Sequence, residues 1–522
     1  MTRRTFGIGC IALSSAVLPC TAQSPASFRD AIDSYRKEHE PQILHDLSSF
    51  IAIPNLASDR TNIRRNAAEL MSMMKTHGIT VRLLESPSGS PPAVYGELMT
   101  PGATKTVMFY AHYDGQPVDT TKWVTQPWQP VLRDKTLDEH GTIIPIPTTP
   151  GTANGEWRLY GRSASDDKAP IIAMLTAVDA LEAAHIPRSV NVKFFFEGEE
   201  EVGSGHLREI LAANANLLKA DAWLFADGPI HQSRRQQIVF GARGVTGAEI
   251  TVYGPSHALH SGHYGNWAPN PITLLSNLIA SMRNDDGRIL VSHYYDDVDP
   301  ITPADRRAIA AIPRIDSAMR AEVMLNATEA HDAPIAERIM LPALNLRGIQ
   351  GGAVGATAAN AIPISATASI DFRLVPHQTP AHVRQLIEAH LKAKGYFVVD
   401  HDPTPAERMS HPRVAKVTWE AGYAATRISL DAPLSKALTR ATEEALGGPV
   451  VQLPILGGSV PLDAITATLH APVIVLPIVN HDNNQHAANE NLRLQNLFDG
   501  IVVYAGAVAK LGQYWKQPTA VP

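Results

Sequence analysis

Phe194-Phe195-Phe196-Glu197-Gly198-Glu199-Glu200-Glu201-Val202-Gly203-Ser204-Gly205 is the stretch on which the reading of the chain turns. Val190, Val192 and Phe194 to Phe196 predict a buried strand, which ends in four carboxylates interleaved with glycine. Acids crowded at the mouth of a buried strand repel one another and resist desolvation, so solvent must screen them or a cation must neutralise them. A solvated acidic turn meets the first condition. Adjacent carboxylates that divide labour, one binding metal and one moving protons, meet the second. The surrounding chain decides between them.

Upstream, Phe28 to Phe50 and Asn62 to His77 predict helices, and Ile79 to Leu84, Ala93 to Leu98 and Thr106 to Tyr110 predict strands. The last of these runs into Ala111-His112-Tyr113-Asp114-Gly115. A proline- and threonine-rich segment, Trp123 to Trp157, reads as irregular, and a helix follows Asp166-Asp167-Lys168 with Pro170 in its first turn. Ala222 to Ala226 predicts another strand, ending at Asp227. Strand and helix alternating at this spacing predict a doubly wound α/β sheet.

From about Gly241 the pattern changes. Ile364 to Leu374 alternates strictly between apolar and polar residues, which predicts a half-exposed antiparallel strand. Val245 to Tyr253 is a second strand, and Pro271 to Met282 is a helix. Another helix is punctuated by Thr379 as cap, Pro380 at its first position and Gly395 beyond its end. Two helices on one face of an antiparallel sheet make a small α+β domain, here 242–428, inserted between two parts of a larger one, 23–241 and 429–522. The α/β style resumes with a helix from Ala432 to Leu446, a strand from Val473 to Pro477 and a closing helix from Glu490 to Leu511.

At 522 residues the chain requires more than one core, and its formal charge of −6 offers no basic excess for a nucleic-acid partner. Residues 1–22 read as an export signal: Arg3-Arg4 supply charge, Gly7 to Leu18 an apolar core too short to span a membrane, and Ala22 a small-residue exit. The arginine pair suits either a twin-arginine signal or an ordinary secretory leader, and Pro19 argues against a lipoprotein box at Cys20. The expected location is therefore periplasmic or secreted. Both cysteines, Cys10 and Cys20, lie in this leader, so a mature chain would hold metal through histidine, Asp and Glu alone.

Five candidate ligands occupy comparable places. His112, Glu201 and Asp227 follow predicted strands, Asp166 precedes a helix, and His486 lies between the last strand and the last helix. In an open α/β sheet the crevice beyond the strand ends binds ligands. Two imidazoles and three carboxylates there suit two zinc ions with Asp166 shared. Taken singly, each has a blander use: Asp166 and Asp167 as a helix cap, Asp227 before Gly228-Pro229 as turn chemistry, either histidine as a loop residue.

The motifs Ala111-His112-Tyr113-Asp114-Gly115, Gly161-Arg162 through Lys168, Glu200-Glu201-Val202-Gly203-Ser204 and His486-Ala487-Ala488-Asn489-Glu490 resemble the di-zinc metallopeptidase family of carnosinases, nonspecific dipeptidases, glutamate carboxypeptidases and succinyl-diaminopimelate desuccinylases. The dipeptidase branch fits best. The resemblance implies a mixed-sheet catalytic domain with a lid and dimerisation domain inserted, and two Zn2+ per subunit, replaceable by Co2+ or Mn2+. His112 and Asp227 would bind one ion, Glu201 and His486 the other, and Asp166 both. Glu200 would be the general base toward a metal-bridging water, and Asp114 would orient His112. A cis peptide between Asp166 and Asp167 is also implied. His260, in Leu259-His260-Ser261-Gly262, would polarise the scissile carbonyl in the partner subunit of a homodimer. Arg373 and the loop Gly457-Gly458-Ser459 would hold the substrate carboxylate. A solvated Arg373 and a histidine-rich surface loop around His260 remain alternatives. Three departures stand out: Glu199 allows the acidic pair to shift by one residue, Ser163 replaces a common glycine, and segment 134–155 is long enough to narrow the pocket. The implied activity is cleavage of dipeptides or of the C-terminal residue of small peptides, with deacylation of N-acyl amino acids as the alternative.

Overall fold

A computed structural model describes residues 27–516 except Ala330 and Asp332, together with residues 1 and 2. Most of the expected export signal therefore lies outside the described residues. Among those described, no helix is long and apolar enough to cross a membrane.

Eight strands form the main sheet, in the order Thr80–Leu84, Ala93–Leu98, Asn191–Glu197, Thr106–His112, Ala222–Phe225, Val473–Val475, Gln237–Val239 and Val451–Leu453. Its four middle strands, from Asn191–Glu197 to Val473–Val475, are parallel. Their register places His112 opposite Glu197 and Tyr110 opposite Phe225, so the residues just past each strand share one edge. Side chains alternate between the faces. Phe109, Phe194 and Phe196 enter a core built with helices Lys168–Ala183, Pro433–Leu446 and Leu494–Tyr514, while Tyr110, Phe195 and Trp223 enter another with Leu207–Ala213 and Leu462–Leu469. Each fully buried phenylalanine contributes about 1.5–3 kcal/mol, which fixes the acidic strand end in place.

The inserted unit is built on a five-stranded sheet, in the order Ala343–Gln350, Ser365–Leu374, Gly244–Tyr253, Val414–Trp419 and Phe397–Val399. All neighbours are antiparallel except the last pair. Ala366, Ala368, Ile370, Phe372 and Leu374 are buried under helices Pro271–Ala280 and Pro380–Ala393, the arrangement that the alternation predicted. Thr379 caps the second helix through His382 N. The chain enters this unit through Gly241–Ala242, paired with Thr426–Arg427. Gly241 has φ +155° and a Cβ there would lie 2.1 Å from Thr426 O, so the crossing requires glycine.

Three local expectations change. The helix over 28–50 is two, Phe28–Glu38 and Glu40–Ile51, because Pro41 lacks an N–H and belongs in the first turn of a new helix. Within the supposedly irregular segment, Val131–Arg133 and Ile143–Ile144 join Arg158–Tyr160 and Asn491–Arg493 in a small sheet. Segment 134–155 docks on the first helices, with Ile144 and Ile146 on the main core and Ala153 N donating to Glu40 at 2.7 Å. The closing helix starts at Leu494, so Glu490 belongs to the loop before it.

Candidate metal centre

At the parallel edge, His112 ends its strand with no exposed surface. Asp114 Oδ1 lies 3.4 Å from its Nδ1, and the two Asp114 oxygens accept the backbone N–H of Glu200 and of Glu201 at 3.1 Å. One carboxylate thus fixes both the imidazole and the acidic turn. His112 Nε2 faces Asp166 Oδ1 at 2.9 Å.

Asp166 is delivered by the loop 161–167, whose peptide Asp166–Asp167 is cis. Buried Glu490 grips this loop, accepting Ser163 N at 2.9 Å, Ser165 N at 3.0 Å, Asp166 N at 2.9 Å and Arg162 Nη1 at 2.8 Å. Asn55 braces the other side, donating to Tyr113 O at 2.9 Å and to Ser163 Oγ at 2.8 Å. The serine at 163 thereby gains a hydrogen bond that glycine lacks.

His112, Asp166 and Asp227 form one group of potential ligands and Asp166, Glu201 and His486 a second, each with its ligand atoms within 4.8 Å of one another. Asp166 belongs to both. His486 Nε2 lies 3.1 Å from Asp166 Oδ2 and 3.1 Å from Glu201 Oε2. A single imidazole N–H cannot serve both oxygens well. Glu201 Oε1 is buried without a hydrogen-bond partner, and the buried Asp166 Oδ2 has only the shared His486 imidazole near it. Carboxylate and imidazole lone pairs converging with so few donors fit a divalent cation.

The electrostatics agree. Burial pushes the Asp227 carboxyl up to about 7, with Asp166 adding to the shift. Glu200 is driven well above the usual range by burial and then by Asp227. Asp166 moves the other way: burial opposes its charge, but hydrogen bonds with His112 and His486 outweigh it. His112 is raised because Asp114 and Asp166 together overcome burial. Four neighbouring acids ionise together only where positive charge is supplied.

Glu199, the rival in register, turns away and binds His206 N at 2.6 Å and its Nδ1 at 3.0 Å. Gln116 Nε2 donates to Glu201 at 2.8 Å. On the inserted unit, Arg373 Nε donates to Asp371 at 3.0 Å and its Nη1 to Ser459 Oγ at 3.0 Å, with the side chain a third exposed. Arg243 donates to Gly457 O at 2.8 and 2.9 Å, and Gly458 links the two contacts. Tyr423 joins the regions: its phenol is pushed up to about 12 by burial and by Glu200, and lies near Arg373 and Ser459. His260 stays in its own exposed loop, its Nδ1 accepting Gly262 N–H at 3.1 Å and its ring 4.7 Å from that of His263. Sequence reasoning overlooked Asn55, Gln116, Arg243 and Tyr423, and quoted Glu490 without a role. Of these only Glu490, which closes the motif His486-Ala487-Ala488-Asn489-Glu490, carried a local signal.

A family model described as Peptidase family M20/M25/M40 matches residues 108–510. A Cys-Gly metallodipeptidase of Schizosaccharomyces pombe is 27% identical over 427 residues, covering 81% of this chain and 83% of that protein. The human Beta-Ala-His dipeptidase is 25% identical over 519 residues, covering 94% of each chain. Among solved structures, the M20 family metallo-carboxypeptidase Sso-CP2 of Sulfolobus solfataricus superposes with a TM-score of 0.71 at 26% identity, covering 90% of this chain and 99% of that one. These relatives correct the expected location. The fungal Cys-Gly metallodipeptidases are cytosolic enzymes, so the periplasmic or secreted assignment, which stood on residues 1–22 alone, is withdrawn.

Proposed function

The chain belongs to the M20/M25/M40 family of metallopeptidases, and from that premise we propose that it is a di-zinc dipeptidase acting on substrates with a free C-terminal carboxylate. The observation that carries this reading is the pair of ligand groups sharing Asp166, with Glu200 beside them. His112 and Asp227 would hold one ion, Glu201 and His486 the other, and Asp166 both. When bound, the pair would supply Lewis acidity and a water of lowered pKa.

The remaining work falls to the chain. Glu200, adjacent to a ligand and anchored through its N–H to Asp114, takes a proton from the attacking water and returns it to the leaving amine. Its raised carboxyl suits a group that must both accept and donate. Arg373, aligned by Asp371 and Ser459, pairs with the substrate carboxylate, and Arg243 steadies the Gly457 end of that loop. We assign the scissile carbonyl to His260 of a second copy in a homodimer. The exposed Tyr264 and Trp267 beside it, 40% and 79% accessible, support a surface that another copy covers. The metal ligands and Glu200 then fall in 23–241 and 429–522, with 242–428 as a lid that carries His260 and Arg373.

The deacylase alternative uses the same centre, but the similar dipeptidases of yeast and human favour peptide substrates. Glu200→Gln tests the reading. It should lower kcat by about 10²–10⁴-fold with zinc content unchanged, and retained turnover would refute the assigned base.

A further inference from the structure

Helix Pro303–Ala311 packs on the edge strand Val451–Leu453 of the main sheet, and helices Asp316–Glu322 and Ile335–Arg338 line a cavity beside it. Ile309, Ala336 and Met340 pack there on Ile455 in a small separate core. Beside this core the contact opens into a cavity of about 330 Å³ walled by Ile309, Ile312, Met319, Ile339 and Leu456. A volume of that order, mostly apolar with a few polar groups at the mouth, is typical of a small-molecule pocket.

Two of its residues tie the cavity to the metal centre. Pro229, two positions beyond Asp227, lines the cavity and is bridged to Val479. Gly457 lines it too, and its loop carries the Arg243 and Arg373 contacts. The lining also holds His231 and His481, whose imidazoles burial holds below their ordinary range, so neither adds positive charge near pH 7. A residue assigned to the substrate carboxylate and one assigned to the metals are thus each within two chain positions of the cavity wall, Ser459 of Gly457 and Asp227 of Pro229.

We propose that this cavity is the specificity pocket for the side chain of the carboxylate-bearing residue, and that it selects large apolar side chains such as those of leucine and phenylalanine over glycine. The proposal rests on the dipeptidase reading above and goes beyond it, since that reading holds for any C-terminal residue. Filling an apolar pocket separates substrates by about 10–200-fold per added group or two.

The test is kcat/KM for Ala-Gly, Ala-Leu and Ala-Phe with the zinc-loaded full chain and two variants. The wild type should prefer Ala-Leu and Ala-Phe to Ala-Gly by about tenfold or more. Met319→Trp, which fills the cavity, should bring the Ala-Leu to Ala-Gly ratio close to one. Ile339→Ala, which enlarges it, should raise the Ala-Phe to Ala-Leu ratio. Hydrolysis of Ala-Gly as fast as Ala-Leu, or ratios untouched in both variants, would overturn the pocket while leaving the dipeptidase intact. Failure to cleave any of the three would overturn the dipeptidase reading and the pocket with it.

Discussion

Replacing Glu490 isolates what holds the bridging Asp166 in place. Its carboxylate is fully buried and takes four donors: Arg162 and the backbone N–H groups of Ser163, Ser165 and Asp166. Arg162 is only 2% exposed, so removing its partner strands a buried cation, at a cost of about 3–5 kcal/mol. The three N–H groups would add about 1–3 kcal/mol each where water cannot reach them. Together these rival the whole stability of a domain, about 5–15 kcal/mol. Water must therefore enter the gap in Glu490→Ala, and Arg162 keeps its bond to Ala487 O and its contact with Trp123. A net loss of about 4 kcal/mol follows. Glu490→Gln retains the shape and one acceptor but turns an amide N–H toward Ser163 N and Arg162, and should lose about 2–3 kcal/mol. Denaturant midpoints of the metal-free chain at pH 8 provide the assay. That pH lies above the value of about 7 to which burial pushes the Glu490 carboxyl, so the wild-type group is charged. Zinc affinity should fall in parallel, because the released loop carries Asp166. A Gln variant within about 0.5 kcal/mol of wild type would show that shape, and not charge, organises the loop.

Arg373→Ala should raise KM by about 10–100-fold for dipeptides with a free carboxylate, the worth of a charge-assisted pair. Amidated substrates should lose much less, and an equal loss for both would remove Arg373 from substrate binding. His260→Ala should be inactive alone and regain activity when mixed with a Glu200→Gln chain, since each heterodimer then holds one complete site. An active monomer would dismiss action in trans.

How much of this was legible depends on the range of each interaction. The apolar run before Glu197 and the strict alternation before Leu374 are local patterns, and both appear as the expected strands. The five candidate ligands share one edge because a parallel sheet brings its strand ends together whatever their distance in sequence. Arg243 was invisible because it acts on Gly457, 214 residues away, through a backbone oxygen that any residue offers. Asn55 was invisible for the same reason, its partners being Tyr113 O and Ser163 Oγ. The helix expected to begin at Glu490 failed because Asn491–Arg493 pairs with Arg158–Tyr160 instead, a contact that overrides local helix preference. The leader misled on location because residues 1–22 suit export by composition alone.

Metal stoichiometry measured together with activity tests the central claim most directly. The full chain, stripped by chelation and titrated with zinc, should be inactive on dipeptides when empty and fully active at two ions per chain. Asp166→Ala should fail to hold either ion tightly. Undiminished hydrolysis after exhaustive chelation, or no divalent ion bound at saturating zinc, would contradict the account.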